Sequence, residues 1–392
     1  MRAVALLLGL AAAATAPFWV WNPYHLHTLI MAGIFAVLAL SLNLLLGYTG
    51  QLSLGHAAFF GIGAYATALL TVKLEWSPWI GLLAAVVLPG LAGWVIGRLA
   101  LKLRGAYFVL LTISFAGCVS LVSVNWMDLT NGPLGLPGVP ALEIALPGLP
   151  SLSLRTKVAF YYVVLVAVVL AYLVCLALIR SRVGRALVAL RENETLAASV
   201  GIDGTHYLVL AAVVSAAMAG FGGGLYAHYT RFVSPEVFLF TYTVTMVIMV
   251  VAGGKGTLAG PVVGAVLFTV LPEALRAATS WQWQMLLYGI LLVAVLFFMP
   301  QGIVPALRQL GSGIRRRAFI TRPGSASWTP ASQEPDLSAF PFGRYATVAS
   351  PTYQTLPCLS CAYQSEVFSS NFPSCVATSV TTRAVIPSAT TL

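Results

Sequence analysis

The feature that most constrains this chain is a succession of apolar runs, each about 17–25 residues long and separated by short polar breaks. They cover approximately 3–21, 26–46, 54–72, 78–100, 106–126, 157–179, 206–227, 238–253, 260–278 and 283–299. An α-helix rises about 1.5 Å per residue, so such a run can cross a hydrocarbon layer about 30 Å thick. Hydrophobic residues make up 59% of the 392 and charged residues only 8%, against about 25% charged in ordinary soluble domains. No soluble core could hide that much apolar surface. The chain is therefore read as all-α, a polytopic transmembrane helix bundle of about ten spans.

The formal net charge of +10 does not point to nucleic acid, because the basic residues sit in short clusters between the apolar runs. Arg98, Lys102 and Arg104 follow the fourth run; Arg180, Arg182, Arg185 and Arg191 follow the sixth; Arg308, Arg315, Arg316 and Arg317 follow the tenth. The opposite loops carry fewer: Lys73, Arg155, Lys157 and Arg231. Basic loops stay in the cytoplasm, so the three clusters are placed there and both termini with them. The N-terminal run has Arg2 as its only basic residue and no clear small-x-small cleavage site leading into Asn22-Pro23. It reads as a retained first helix rather than a cleaved signal.

Residues 1–317 are taken as the membrane domain. From Ala318 the composition shifts to Ser, Thr and Pro without a spanning run, so 318–392 reads as a disordered tail. Cys358 and Cys361 lie in it at a metal-ligand spacing, but the tail has no His to complete a site. No metal or cofactor is expected. Among the loops, 127–156 is the long one on the side opposite the basic clusters, and Pro140, Pro147 and Pro150 with several glycines forbid a regular helix there. It is expected to fold as a connector or as a docking surface.

Three segments depart from plain apolar helix. In Gly47-Tyr-Thr-Gly-Gln-Leu-Ser-Leu-Gly-His56, the glycines permit bends, while Thr49, Gln51, Ser53 and His56 bring hydrogen-bonding groups to membrane depth. Irregular polar backbone survives in a bilayer only inside protein or along a watery cavity. The segment is either a broken, path-lining helix or a tight small-residue interface, and His56 by itself reads as a structural hydrogen-bonder. The second segment is Gly253-Gly-Lys-Gly-Thr-Leu-Ala-Gly-Pro261. It lacks the Gly-x4-Gly-Lys-Ser/Thr spacing of a phosphate loop, so nucleotide binding is rejected. Its Gly253-x-x-Gly256-x-Leu258 echoes Gly47-x-x-Gly50-x-Leu52, as duplicated transporter halves do. The third segment, 181–203, reads as one or two short amphipathic helices. Leu187, Leu190, Leu196 and Val200 supply the apolar positions, Arg185, Arg191, Glu192 and Glu194 the charge, and Gly201 the stop. Its mixed charge suits a protein partner better than anionic lipid. No Ser/His/Asp set, HExxH motif or paired intramembrane carboxylates are present, so the chain is not read as an enzyme.

Taken together, these strings resemble the permease subunits of ABC importers for branched-chain amino acids. The resemblance rests on Leu42 to His56, Leu103-Arg-Gly-Ala-Tyr-Phe108, Ser181-Arg-Val-Gly-Arg185, Arg191-Glu-Asn-Glu194, Ala197 to Asp203, Gly253 to Pro261 and Pro300-Gln-Gly-Ile303. They stand in the family's order over roughly 26–305. The resemblance implies a bacterial inner-membrane complex of this chain with a second homologous permease, two ATP-binding subunits and a periplasmic substrate-binding protein. ATP chemistry would then lie in the partners. It also implies a translocation path along Tyr48, Thr49, Gln51, Ser53 and His56. Coupling to the ATPase would fall to Arg182, Gly184, Arg185, Arg191, Glu192, Asn193, Glu194 and Gly201. Permeases for urea or short amides look similar, and a stand-alone secondary transporter is the competing class. Family members end soon after the Pro-Gln-Gly segment. The tail is therefore either a lineage-specific extension or the product of an out-of-frame 3′ end.

Overall fold

The computed structural model describes residues 11–17, 23–100, 106–144, 152–153, 156–276 and 302–306. The helices are α1 (Pro23–Asn43), α2 (His56–Ala68), α3 (Pro78–Ala100), α4 (Ala106–Asn125), α5 (Met127–Thr130), α6 (Lys157–Arg180), α7 (Arg182–Glu192), α8 (Glu194–Ser199), α9 (Gly204–Thr230), α10 (Phe240–Gly254) and α11 (Ala259–Arg276). Residues 11–17 are also helical. Wider π turns prolong α1 through Leu44–Thr49 and α2 through Leu69–Lys73.

Among the described residues five helices are long and apolar enough to cross a bilayer: Pro23–Thr49, Pro78–Leu99, Tyr107–Asn125, Lys157–Arg180 and Gly204–Thr230. All five coincide with runs expected from hydropathy. This is a multi-pass membrane architecture. The expected run 54–72 starts only at His56, after a non-helical stretch from Gly50 to Gly55. Of the other expected runs, 238–253 and 260–278 correspond to α10 and α11, of 15 and 18 residues. At about 1.5 Å per residue α10 is shorter than a full crossing needs. The runs 3–21 and 283–299 and the tail 318–392 lie mainly or wholly outside the described residues, so the full count of spans rests on the sequence.

The bundle is organised around α1 and α9. α9 packs on α3, α2 and α1, while α1 also receives α6, α10 and α11. Glycine lets the backbones approach. Pro89 has no N–H to offer the Ala85 carbonyl one turn back, and Gly220 of α9 lies against that freed carbonyl, where any Cβ would collide. Gly223 sits equally close to the Phe60 carbonyl of α2, its hypothetical Cβ 2.9 Å from Ala64 N. Small residues at such crossings are the usual means of joining helices in lipid, where apolar side chains gain nothing by leaving their solvent.

At one end of the bundle the 127–144 segment folds onto the end of α9. Strand β1 (Leu136–Pro137) pairs antiparallel with β4 (Phe232–Val233), and β2 (Glu143–Ile144) with β3 (Leu152–Ser153). Gly138 N and Val139 N both donate to Arg231 O at 3.1 and 3.3 Å. His228 Nδ1 donates to Pro140 O at 2.8 Å, and Trp79 Nε1 donates to Glu143 O at 3.0 Å. Pro140 and the glycines of 127–144 thus belong to an ordered, largely non-helical cap, while Pro147 and Pro150 of the expected 127–156 loop lie outside the described residues. The other end carries α7 and α8.

Candidate functional site

The break between α1 and α2 is sealed by side chains from elsewhere in the chain. A helix start leaves backbone N–H groups without intrahelical partners, and Gly55 before α2 has no side chain to accept from them. Thr243 Oγ1 of α10 accepts from Ala57 N at 3.0 Å, and Thr112 Oγ1 of α4 accepts from Leu54 N at 3.2 Å. One other helix therefore caps this one, and a second ties down the loop that leads into it.

His56 is fully buried and its Nε2 lies 2.8 Å from Ser41 Oγ. Ser41 Oγ donates its one proton to Leu38 O at 2.7 Å, which assigns the donated proton of the ring to Nε2. Ser215 Oγ of α9 donates to Ser41 O at 2.6 Å. The network ties α1, α2 and α9 together. His56 Nδ1 and Ser53 Oγ are sealed from the surface with no hydrogen-bond partner. Tyr48 and Thr49 lie buried in the π turn, where Thr49 Oγ1 donates to Leu45 O at 2.6 Å, and Gln51 is half-buried. The five residues expected along a path are thus contiguous at the break and mostly enclosed in this conformation.

The two glycine strings that echo one another are brought into contact. Each ends a helix and turns the chain into the next, and Gly50 and Gly256 share the same left-handed φ of +74°. That region suits glycine because a Cβ would clash with the backbone. The buried Asn43 joins the turns: its Oδ1 accepts from Gly256 N at 3.0 Å and its Nδ2 donates to Thr257 O at 2.9 Å. A Cβ on Gly47 would lie 2.5 Å from Gly256 N. Gly302, from the Pro-Gln-Gly string, packs on the Gly253–Gly254 backbone with φ +88°.

The 181–203 segment forms α7 and α8 as expected, with a cap at every start. Ser181 Oγ accepts from Val183 N and Gly184 N at 3.1 and 3.4 Å, Asn193 Oδ1 from Leu196 N at 2.9 Å, and Asp203 Oδ1 from Thr205 N at 3.0 Å. Gly201, at φ +86°, ends the α8 turn, and Gly184 is pressed against the Ile179 backbone. The four apolar positions do not share one face. Leu187 and Leu190 are buried in a small core with Leu45, Ala197, Leu208 and Ala211, whereas Leu196 and Val200 are 64% and 71% exposed. Arg182 and Arg185, on α7, are exposed as well, and Glu194 is half-buried. Arg191 turns the other way: its Nη1 donates to Gly47 O at 2.7 Å, while Nε and Nη2 donate to Glu192 Oε1 at 3.2 and 2.5 Å.

Sequence reasoning passed over Asn43, Thr112, Thr243 and the Gly220–Gly224 strip. The strip carried a legible signal, glycines repeated inside an apolar run. The threonines carried none, since their partners lie 58 and 186 residues away. Among the described residues no group of three or more His, Cys, Asp or Glu gathers as a metal ion would require.

The signature described as branched-chain amino acid transport system / permease component matches residues 24–296. LivM, a high-affinity branched-chain amino acid transport system permease protein of Salmonella typhimurium, is 35% identical over 298 residues, covering 71% of this chain and 69% of its own. The protein of the same name from Escherichia coli K12 is 33% identical, covering 70% and 68%. LivH of Salmonella typhimurium, a permease protein of the same kind of system, is 26% identical over 70% of this chain and 92% of its own. No solved structure matches the chain. The match spans both glycine turns and the α7–α8 segment, and this chain belongs to the permease-component family of branched-chain amino acid transport systems.

Proposed function

We propose that this chain is the membrane-spanning permease subunit of an ATP-driven importer for branched-chain amino acids. The observation that carries the reading is the two-faced build of α7–α8. One side is anchored in the bundle through Leu187, Leu190 and Ala197, and the other offers Arg182, Arg185, Leu196 and Val200 to the surroundings. A pair of capped helices is more than a connector needs. Exposed leucine and valine on α8, with exposed arginines on α7, favour a protein partner that offers apolar contact and acidic groups.

In this reading the occupant of that face is an ATP-binding subunit. The complex holds two of them, a second homologous permease and a periplasmic substrate-binding protein seated against the 127–144 cap. The chain lies in the bacterial inner membrane with about ten spans and both termini in the cytoplasm. Its functional body is 1–317, and 318–392 takes no part in transport. Solute passes along Tyr48, Thr49, Gln51, Ser53 and His56 when the break opens. The unpartnered Ser53 Oγ and His56 Nδ1 support this, because a path segment holds polar groups in reserve for its open state.

The test is uptake of leucine by vesicles carrying the assembled complex, with Leu196→Asp and Arg185→Glu as variants. A buried-contact loss of this kind costs about 2 kcal/mol, roughly thirtyfold in affinity. ATPase subunits should then fail to co-purify and uptake should stop. Leucine uptake by this chain in vesicles without any ATPase would overturn the reading in favour of a stand-alone carrier. ATP-driven uptake of urea but not leucine would overturn the substrate and leave the coupling.

A further inference from the structure

The charged residues of α7 are not equivalent. Arg182 and Arg185 point away from the bundle, but Arg191 lies over the two glycine turns. Its Nη1 caps the Gly47 carbonyl at 2.7 Å. Carbonyls in a last helical turn lack an intrahelical partner and sit at the negative end of the helix dipole, so a cation there is favoured. The stem of the same side chain covers Gly50, where a Cβ would come 2.9 Å from Arg191 Cγ. Its Nη1 is 3.3 Å from where a Cβ of Gly256 would stand. Glu192 Oε1 accepts from Nε and Nη2 on the outer edge of the guanidinium, which leaves Nη1 directed at the Gly47 carbonyl.

One side chain of α7 therefore touches both turns, and Asn43 joins those turns to each other. Each turn is a hinge by construction: a left-handed glycine between two helices is where a chain can swing with little cost in packing. The α1–α2 turn is bonded to the guanidinium, and the α10–α11 turn lies against it.

We propose that Arg191 is a positioning residue for transport, a strap that passes displacement of α7 to both glycine hinges together, so that the two helix pairs move as one. The proposal rests on the reading that an ATPase subunit moves α7–α8. It differs in what Arg191 faces: the strap acts inside the permease and takes no part in holding the ATPase.

The experiment uses the assembled importer in proteoliposomes and measures leucine moved per ATP hydrolysed, together with the ATPase subunit retained per permease. In Arg191→Ala the ratio of leucine to ATP should fall about tenfold, the effect of losing a charge-assisted hydrogen bond, while ATPase subunits stay bound and ATP is still consumed. Arg191→Lys keeps a donor for Gly47 O but not the fork, and should recover part of the ratio. Glu192→Gln, at a largely exposed carboxylate, should lower it about twofold by loosening the fork without disturbing the fold. These two variants carry the same readout if Arg191→Ala fails to accumulate. A normal ratio in all three overturns the strap, and so does loss of ATPase subunits in proportion to loss of uptake, which would place Arg191 on the docking face. An unsubstituted complex that moves leucine without ATP overturns the function reading and the strap with it.

Discussion

The central and flanking helices of this bundle differ less in apolarity than in what surrounds them. In the most apolar stretches of Pro23–Thr49 and Gly204–Thr230, 72% and 67% of residues are buried in protein. The figures for Lys157–Arg180 and Tyr107–Asn125 are 22% and 17%. Lys157–Arg180 is the most hydrophobic of the five, yet most of its surface, including Val166, Leu170 and Leu173, faces outward. In water that would be perverse. In lipid it follows from the absence of any transfer gain when one apolar medium replaces another, so that helix contact is won by close backbone approach and hydrogen bonds instead. The central pair accordingly carries Ser41, Asn43, Ser215 and the Gly220–Gly224 strip.

The sharpest way to break this contrast is to thicken the centre. Gly223→Val would drive a branched side chain into the Phe60 carbonyl and Ala64 N, costing about 3 kcal/mol or more. The variant should be lost from the membrane or run as aggregate on size exclusion, and a monodisperse product would mean that the α2–α9 crossing is looser than described. A milder probe removes polarity while keeping volume. His56→Leu deletes the bond to Ser41, worth about 1 kcal/mol between membrane helices. Its thermal stability should drop measurably with the complex intact, whereas an unchanged midpoint would deny the network any structural weight. The smallest effect belongs to the periphery. Leu170→Ala on α6, at a side chain 51% exposed, should alter stability in lipid nanodiscs by under about 0.5 kcal/mol. A large loss there would show that this face packs on another protein rather than on lipid.

The 181–203 segment shows where sequence reading succeeds and where it stops. Its helices and the stop at Gly201 are local events, decided within three or four residues, and they were legible. The division of its apolar positions was not. Leu187 and Leu190 go inward because Leu45 and Leu208 are there to receive them, while Leu196 and Val200 have no such neighbours among the described residues. The same limit applies to Arg191, which looks like one more basic residue of the loop until Gly47, 144 residues earlier, is placed beside it.

Legible in the residues alone are the membrane setting, the approximate positions of the described helices, a glycine-rich departure from plain apolar helix at Gly47 to His56, and the family. Each of these depends on transfer free energy summed over some twenty residues or on backbone preferences within one turn. Contacts between distant segments settle which helices sit at the centre, which threonine caps a distant helix, and that the two glycine turns share Asn43 and Arg191. Such choices turn on a few ångströms of approach between segments far apart in the chain, and no sum over neighbouring residues contains that distance.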